Sequence, residues 1–192
     1  MKIKHFFFAT FALLCCATLM TACGSDGDDN EPKPNDDNKR VYVAMWHYTQ
    51  LTDDMLAYCN VEITTINGVG KTETKMLTKD DVQKGEYMST VVGPLPCELT
   101  VKKTVTLKPE VDFSAVSSIK FYRGYYLEYA FYNAKQELIK GELHQIGNRN
   151  LSPSTAATPE AIERFKKLVN EGSLNKTVTI AFDKDGNEIG KE

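Results

Sequence analysis

From Val41 onward, hydrophobic and polar residues mostly alternate with a period of two. The clearest case is Cys97–Leu107. Cys97, Leu99, Val101, Val105 and Leu107 fall on one side, and Glu98, Thr100, Lys102, Thr104 and Thr106 on the other. This is the pattern of an antiparallel strand with one dry and one wet face. Lys103 interrupts the apolar side and predicts a bend or a barrel-like edge. Residues 41–48 are β-branched and aromatic on both sides, as in a strand covered on both faces. Cys59–Ile66 reads as a strand with Cys59, Val61, Ile63 and Thr65 in phase. Asn67-Gly68 is a turn pair, and residues 71–77 return as a hairpin partner. Residues 86–92 form a further strand, broken by Gly93-Pro94-Leu95-Pro96. Residues 119–132 predict one long aromatic strand with a bulge at Gly124, and residues 137–146 return beside it. Residues 177–182 form the last strand.

Helical periodicity is confined to short stretches. Thr52-Asp53-Asp54 offers an N-cap followed by early acids, and Thr78 with Asp81 forms a capped turn closed by Gly85. The one substantial helix starts at Thr158-Pro159-Glu160, with a capping hydroxyl and a proline at the first helical position. Ile162, Phe165, Leu168 and Val169 form its apolar face, and Gly172 stops it. Many short strands joined by turn residues, with one real helix, predict a mainly β chain: an antiparallel β-sandwich over residues 41–192.

The first 22 residues differ from the rest. Lys2 and Lys4 precede an uncharged apolar run, which ends in the small residues Thr21 and Ala22 before Cys23. Basic, apolar, then small is the order of a secretory signal. The run is shorter than the ~20 residues of a spanning helix. Leu19-Met20-Thr21-Ala22-Cys23 resembles the lipobox of bacterial lipoproteins, whose cysteine is lipidated and becomes the first residue. Most lipoboxes carry Leu three places before the cysteine; here Met20 stands there and Leu19 one step earlier, a looseness found in Bacteroidota lipoproteins. An ordinary cleaved signal with an incidental cysteine is the alternative. The acidic run Asp26 to Glu31 resembles the surface-export signal of the same lipoproteins, or is a solvated linker. The resemblance implies an outer-membrane, lipid-anchored protein at the cell surface, or otherwise facing the periplasm. The sandwich resembles the immunoglobulin-like modules common in such lipoproteins.

Residues 23–40 hold six acids, three bases, Pro32 and Pro34, and predict a disordered tether. Removing residues 1–22, which carry two lysines and no acids, takes the formal charge from −3 to −5. Such a balance gives no basic footprint for nucleic acid.

Candidate chemistry is sparse. Cys59 and Cys97 are the only cysteines of the domain, and both fall on apolar strand faces. They form a cross-core disulfide if their strands face each other, or remain two separate buried thiols. Trp46, Tyr122 and Tyr126 are the candidate ligand contacts, an aromatic platform for a glycan or a protein partner; alternatively, aromatic rings fill both faces of a covered strand. Glu142 and His144 share a strand face without a visible third ligand. Asp183-x-Asp185-x-Asn187 has a calcium-loop beginning but the glycine spacing of a hairpin turn. There is no Gly-x-Ser-x-Gly, His-Glu-x-x-His or phosphate loop. The expectation is a binding or accessory module without cofactor or metal, not an enzyme, or else a structural subunit of an outer-membrane complex.

Overall fold

The computed structural model describes residues 40–139, 143–149 and 151–190. Its strands are β1 (Val41–Gln50), β2 (Cys59–Ile66), β3 (Thr72–Met76), β4 (Glu86–Pro94), β5 (Cys97–Leu107), β6 (Ile119–Phe121), β7 (Tyr126–Asn133), β8 (His144–Gly147), β9 (Ser154–Ala156) and β10 (Lys176–Phe182). Helix α1 spans Asp53–Tyr58 and α2 spans Pro159–Asn170. Sheet A has the order β4-β1-β7-β8 and sheet B the order β10-β5-β2-β3, both antiparallel; β6 and β9 form a separate ribbon.

The two sheets stack as a β-sandwich, because each offers one apolar face. Val43 and Met45 of β1, Val91 of β4 and Leu127, Tyr129 and Phe131 of β7 meet Val61 and Ile63 of β2, Leu99, Val101 and Val105 of β5 and Ile180 and Phe182 of β10 in one cluster. Each large apolar side chain so buried contributes roughly 1.5–3 kcal/mol. The turn after β2 meets the end of β4 backbone to backbone. Gly68 N–H donates to the Val92 carbonyl at 3.1 Å, and a Cβ on Gly68 or Gly93 would collide with the other residue. Glycine is required there by close approach.

Helix α2 starts as its sequence predicts. The Thr158 hydroxyl accepts from Ala161 N–H at 3.2 Å, and Ile162, Phe165 and Val169 are buried. Helix α1 has a second task. Thr52 caps it, accepting from Met55 N–H at 3.1 Å, and also donates to the Lys120 carbonyl. Asp54 accepts from Lys120 N–H at 2.7 Å. Thus β6 pairs with β9 on one edge and is closed on the other by the side chains of Thr52, the α1 cap, and Asp54, which leaves that edge no template for a further strand.

Four expectations are corrected. The aromatic stretch 119–132 is not one strand. It leaves the β6–β9 ribbon at Phe121 and joins sheet A at Tyr126. Gly124 lies in that crossing, where any Cβ would strike Leu151. Among the described residues the return strand is short: a single bridge, Tyr132 to Leu138, precedes β8. Strand β4 continues through Gly93-Pro94, because β4 is an edge strand and proline needs no ladder donor on its open side. Finally, Lys103 marks neither bend nor edge. It lies mid-strand in β5, between Lys176 of β10 and Ile63 of β2, at 1 % exposure.

The disulfide is also excluded. Cys59 and Cys97 are free thiols. Cys59 lies opposite Leu107 and Cys97 opposite Phe182, so they stand at opposite ends of β5. Ten residues of strand separate these ends by about 33 Å, far beyond disulfide reach. Burial pushes both thiols up to about 11.

Candidate functional site

A sandwich needs only its inner faces dry. The outer face of sheet A is nevertheless organised. Alternation along β1 sends Ala44, Trp46, Tyr48 and Gln50 outward, and along β7 it sends Tyr126, Glu128, Ala130 and Tyr132 to the same side. The registers Trp46 to Glu128 and Tyr48 to Tyr126 place these side chains next to one another. Ala44, Trp46, Tyr48, Tyr126 and Ala130 form a second apolar cluster, separate from the main core. Gln145 of β8 stands opposite Glu128, and Gly147 opposite Tyr126.

Glu128 is the centre of the face. It is 8 % exposed, and its carboxylate accepts from the Tyr126 hydroxyl at 2.5 Å, the Tyr48 hydroxyl at 3.2 Å and Gln145 Nε2 at 3.4 Å. A buried carboxylate is tolerated when hydrogen bonds replace its water. The tyrosines register the same environment. Burial, followed by the bond to Glu128 and its charge, pushes Tyr126 up to about 12 and moves Tyr48 in the same direction.

Arg149 lies over this bed. Its guanidinium is 4.5 Å from the Tyr48 ring centre and 5.7 Å from that of Tyr126, as a cation over aromatic faces. Its Nη2 donates to Glu86 Oε2 at 3.0 Å, and its carbonyl accepts from Gln50 Nε2 at 2.6 Å. Gln50 Oε1 is buried without a hydrogen-bond partner among the described residues. Trp46 meets Tyr132 edge-on at 6.4 Å. The rim is open: Arg149, Gln145 and Met88 are exposed.

Of the three aromatic residues singled out from sequence, Trp46 and Tyr126 are brought together here. Tyr122 is not. It sits in the crossing between β6 and β7, packs against the main core, and its N–H meets Met55 Sδ at 3.4 Å. Trp46 and Tyr126 are buried side by side rather than spread as an open platform. Sequence reasoning counted Tyr48 among the aromatic residues without selecting it, and missed Glu128, Gln50, Gln145 and Arg149. Glu128 had a signal, being the lone acid in an aromatic run and in phase with Tyr126. Arg149 had none, because a loop residue carries no periodicity.

The remaining candidates are placed as follows. Cys23 and Glu142 lie outside the described residues. His144 stacks on Tyr129 at 4.6 Å. Asp183 closes a hairpin turn, accepting from Asp185 N–H at 2.9 Å and Asn187 N–H at 2.8 Å, with Gly186 at φ +80°. Among the described residues, no group of three or more His, Cys, Asp or Glu is placed to hold a metal ion. No helix of these residues is long and apolar enough to cross a membrane. No protein family, curated protein or solved structure matches this chain.

Proposed function

We propose that this protein is a lipid-anchored binding module of the cell envelope, held to the outer membrane through Cys23, that takes a glycan on the outer face of sheet A. The observation that carries this reading is Glu128, a carboxylate buried on a face that folding alone would leave wet, held by two tyrosine hydroxyls beneath an exposed arginine. Carboxylate, amide and guanidinium groups set among aromatic rings suit a hydroxyl-rich ligand. The buried rings form a rigid bed, and the exposed rim of Arg149 and Gln145 makes the contact. The mechanism is display: the tether of residues 23–40, at most ~60 Å when extended, presents a rigid face away from the lipid. The module acts by binding, without cofactor and without catalysis.

A glycan array probed with the full chain tests this. Binding to one glycan class is expected, reduced about tenfold or more by Arg149→Ala or Gln145→Ala and unaffected by Tyr122→Ala. An array without a hit, or one insensitive to both rim variants, rejects the glycan reading. Labelling cells with clickable palmitate, with Cys23→Ala beside the wild type, tests the anchor. A mature protein that takes up no label rejects it.

A second reading is a structural subunit of an outer-membrane complex. It is favoured by β3, an edge strand of sheet B whose five residues, Met76 among them, are all exposed, with the exposed Val69 in the turn before it. Glu73 and Lys75 oppose edge-to-edge pairing there. Co-purification with a membrane partner, abolished by a proline at Thr74, would establish this reading over the first.

A further inference from the structure

Away from sheet A, α2 and the β6–β9 ribbon enclose a groove of about 460 Å³. This volume lies in the range of small-molecule sites. The small residues Ala156 and Ala161 leave the space open, and Phe121 and Phe165, 4.9 Å apart, form its apolar floor. The walls are cationic. Arg123, from the crossing after β6, and Arg164 and Lys167, from α2, line the groove with a single acid, Glu171. Ser154 and Thr155 of β9, both exposed, also line it.

The charge balance is unusual for this chain. The whole sequence is formally −3, yet the groove gathers three cations against one anion. Lys167 is the one that is paired, with Glu171 at 3.6 Å. Among the described residues, Arg123 and Arg164 have no ion pair. Arg123 lies 5.4 Å from the Phe121 ring centre, and Glu160, one turn before Arg164, feels its charge without a direct bridge. Like charges brought together oppose folding unless something offsets them, and a cleft of one sign concentrates ligands of the other. Guanidinium forks match oxyanions in two-point geometry. A hydroxyl-bearing residue of β9 suits the neutral part of a polyol.

We propose that this groove binds a small acidic sugar, with its oxyanion at Arg123 and Arg164 and its hydroxyl groups at Ser154 or Thr155. This site is separate from the sheet A face and does not depend on it.

Calorimetric titration of the purified full chain tests the site, using glucuronate, glucose 6-phosphate and N-acetylglucosamine 6-sulfate, with neutral glucose as control. Saturable binding of at least one acid is expected, weakening as salt rises, and the three acids distinguish carboxylate, phosphate and sulfate. Arg123→Gln and Arg164→Gln are each expected to weaken it about tenfold. Glu171→Gln, which removes the competing carboxylate, is expected to tighten it. Arg149→Ala on sheet A leaves it unchanged. The proposal is overturned if no acid binds up to about 10 mM, if glucose binds equally well, or if both arginine variants bind like wild type.

Discussion

Two buried charges show how differently this fold treats a polar group. Glu128, on the outer side of sheet A, accepts from two tyrosine hydroxyls and one amide. Lys103, between the sheets, has no hydrogen-bond partner for its Nζ among the described residues. His47 of β1 faces the same core and feels the Lys103 charge; its ring stacks on Tyr125 at 6.0 Å, and its Nδ1 lies 3.4 Å from the Thr49 hydroxyl. Burial pushes Lys103 down to about 8, and burial followed by the charge of Lys103 pushes His47 down to about 4. A charge removed from water is stabilised only by partners that replace the water. Glu128 has them, so its burial organises a surface; Lys103 lacks them, so its burial opposes folding.

Removing Glu128 should have the largest effect. Glu128→Leu leaves two buried hydroxyls without an acceptor and should destabilise the fold by roughly 3–4 kcal/mol, read from urea unfolding. Glu128→Gln, which keeps one acceptor oxygen, should have a smaller effect. If Glu128→Leu is neutral, the face is not held by its carboxylate.

Acid should act through His47 next. The unfolded ring takes up a proton near pH 6.5 and the buried ring only near 4. Between those values the unfolded state binds more protons, so stability falls as pH falls through this window, by roughly 3 kcal/mol in all. His47→Gln should flatten that slope. Lys103→Met should reduce it, because the neighbouring charge is gone.

Lys103→Met should itself stabilise the protein at neutral pH by roughly 2–3 kcal/mol, raising Tm by about 5–10 °C. The gain should shrink as pH rises from 8 to 10.5, because there the wild-type amine is neutral when folded and still protonated when unfolded. A melting temperature lowered by this substitution would mean that the amine has a partner.

The smallest change is expected from Arg149→Ala. Its ion pair with Glu86 is partly exposed, so unfolding should shift by about 1 kcal/mol or less, while glycan binding falls. Loss of stability without loss of binding would separate the rim from the site.

Much of the fold was legible from local pattern. Residues 59–66, 97–107 and 177–182 alternate cleanly because each has one face toward the core, and the caps at Thr52 and Thr158 are read from a few neighbouring residues. The break in the stretch 119–132 was not, since both halves have strand composition and the close packing of Leu151 against Gly124 exists only in the folded chain. The site was half legible. Trp46 and Tyr126 could be named, but Tyr122 was grouped with them by a continuous period that the chain does not keep.

The sequence alone determined the repertoire of strands and caps and the side of each strand a residue occupies, because these depend on backbone geometry over a few residues. Tertiary structure decided what lies opposite. It placed Lys103 on an interior strand instead of an edge, set Cys59 and Cys97 at opposite ends of one sheet, and brought Arg149 onto Tyr48, about a hundred residues away. Period records which way a side chain points. Only pairing order and register determine what it meets, and those follow from the packing of the whole chain.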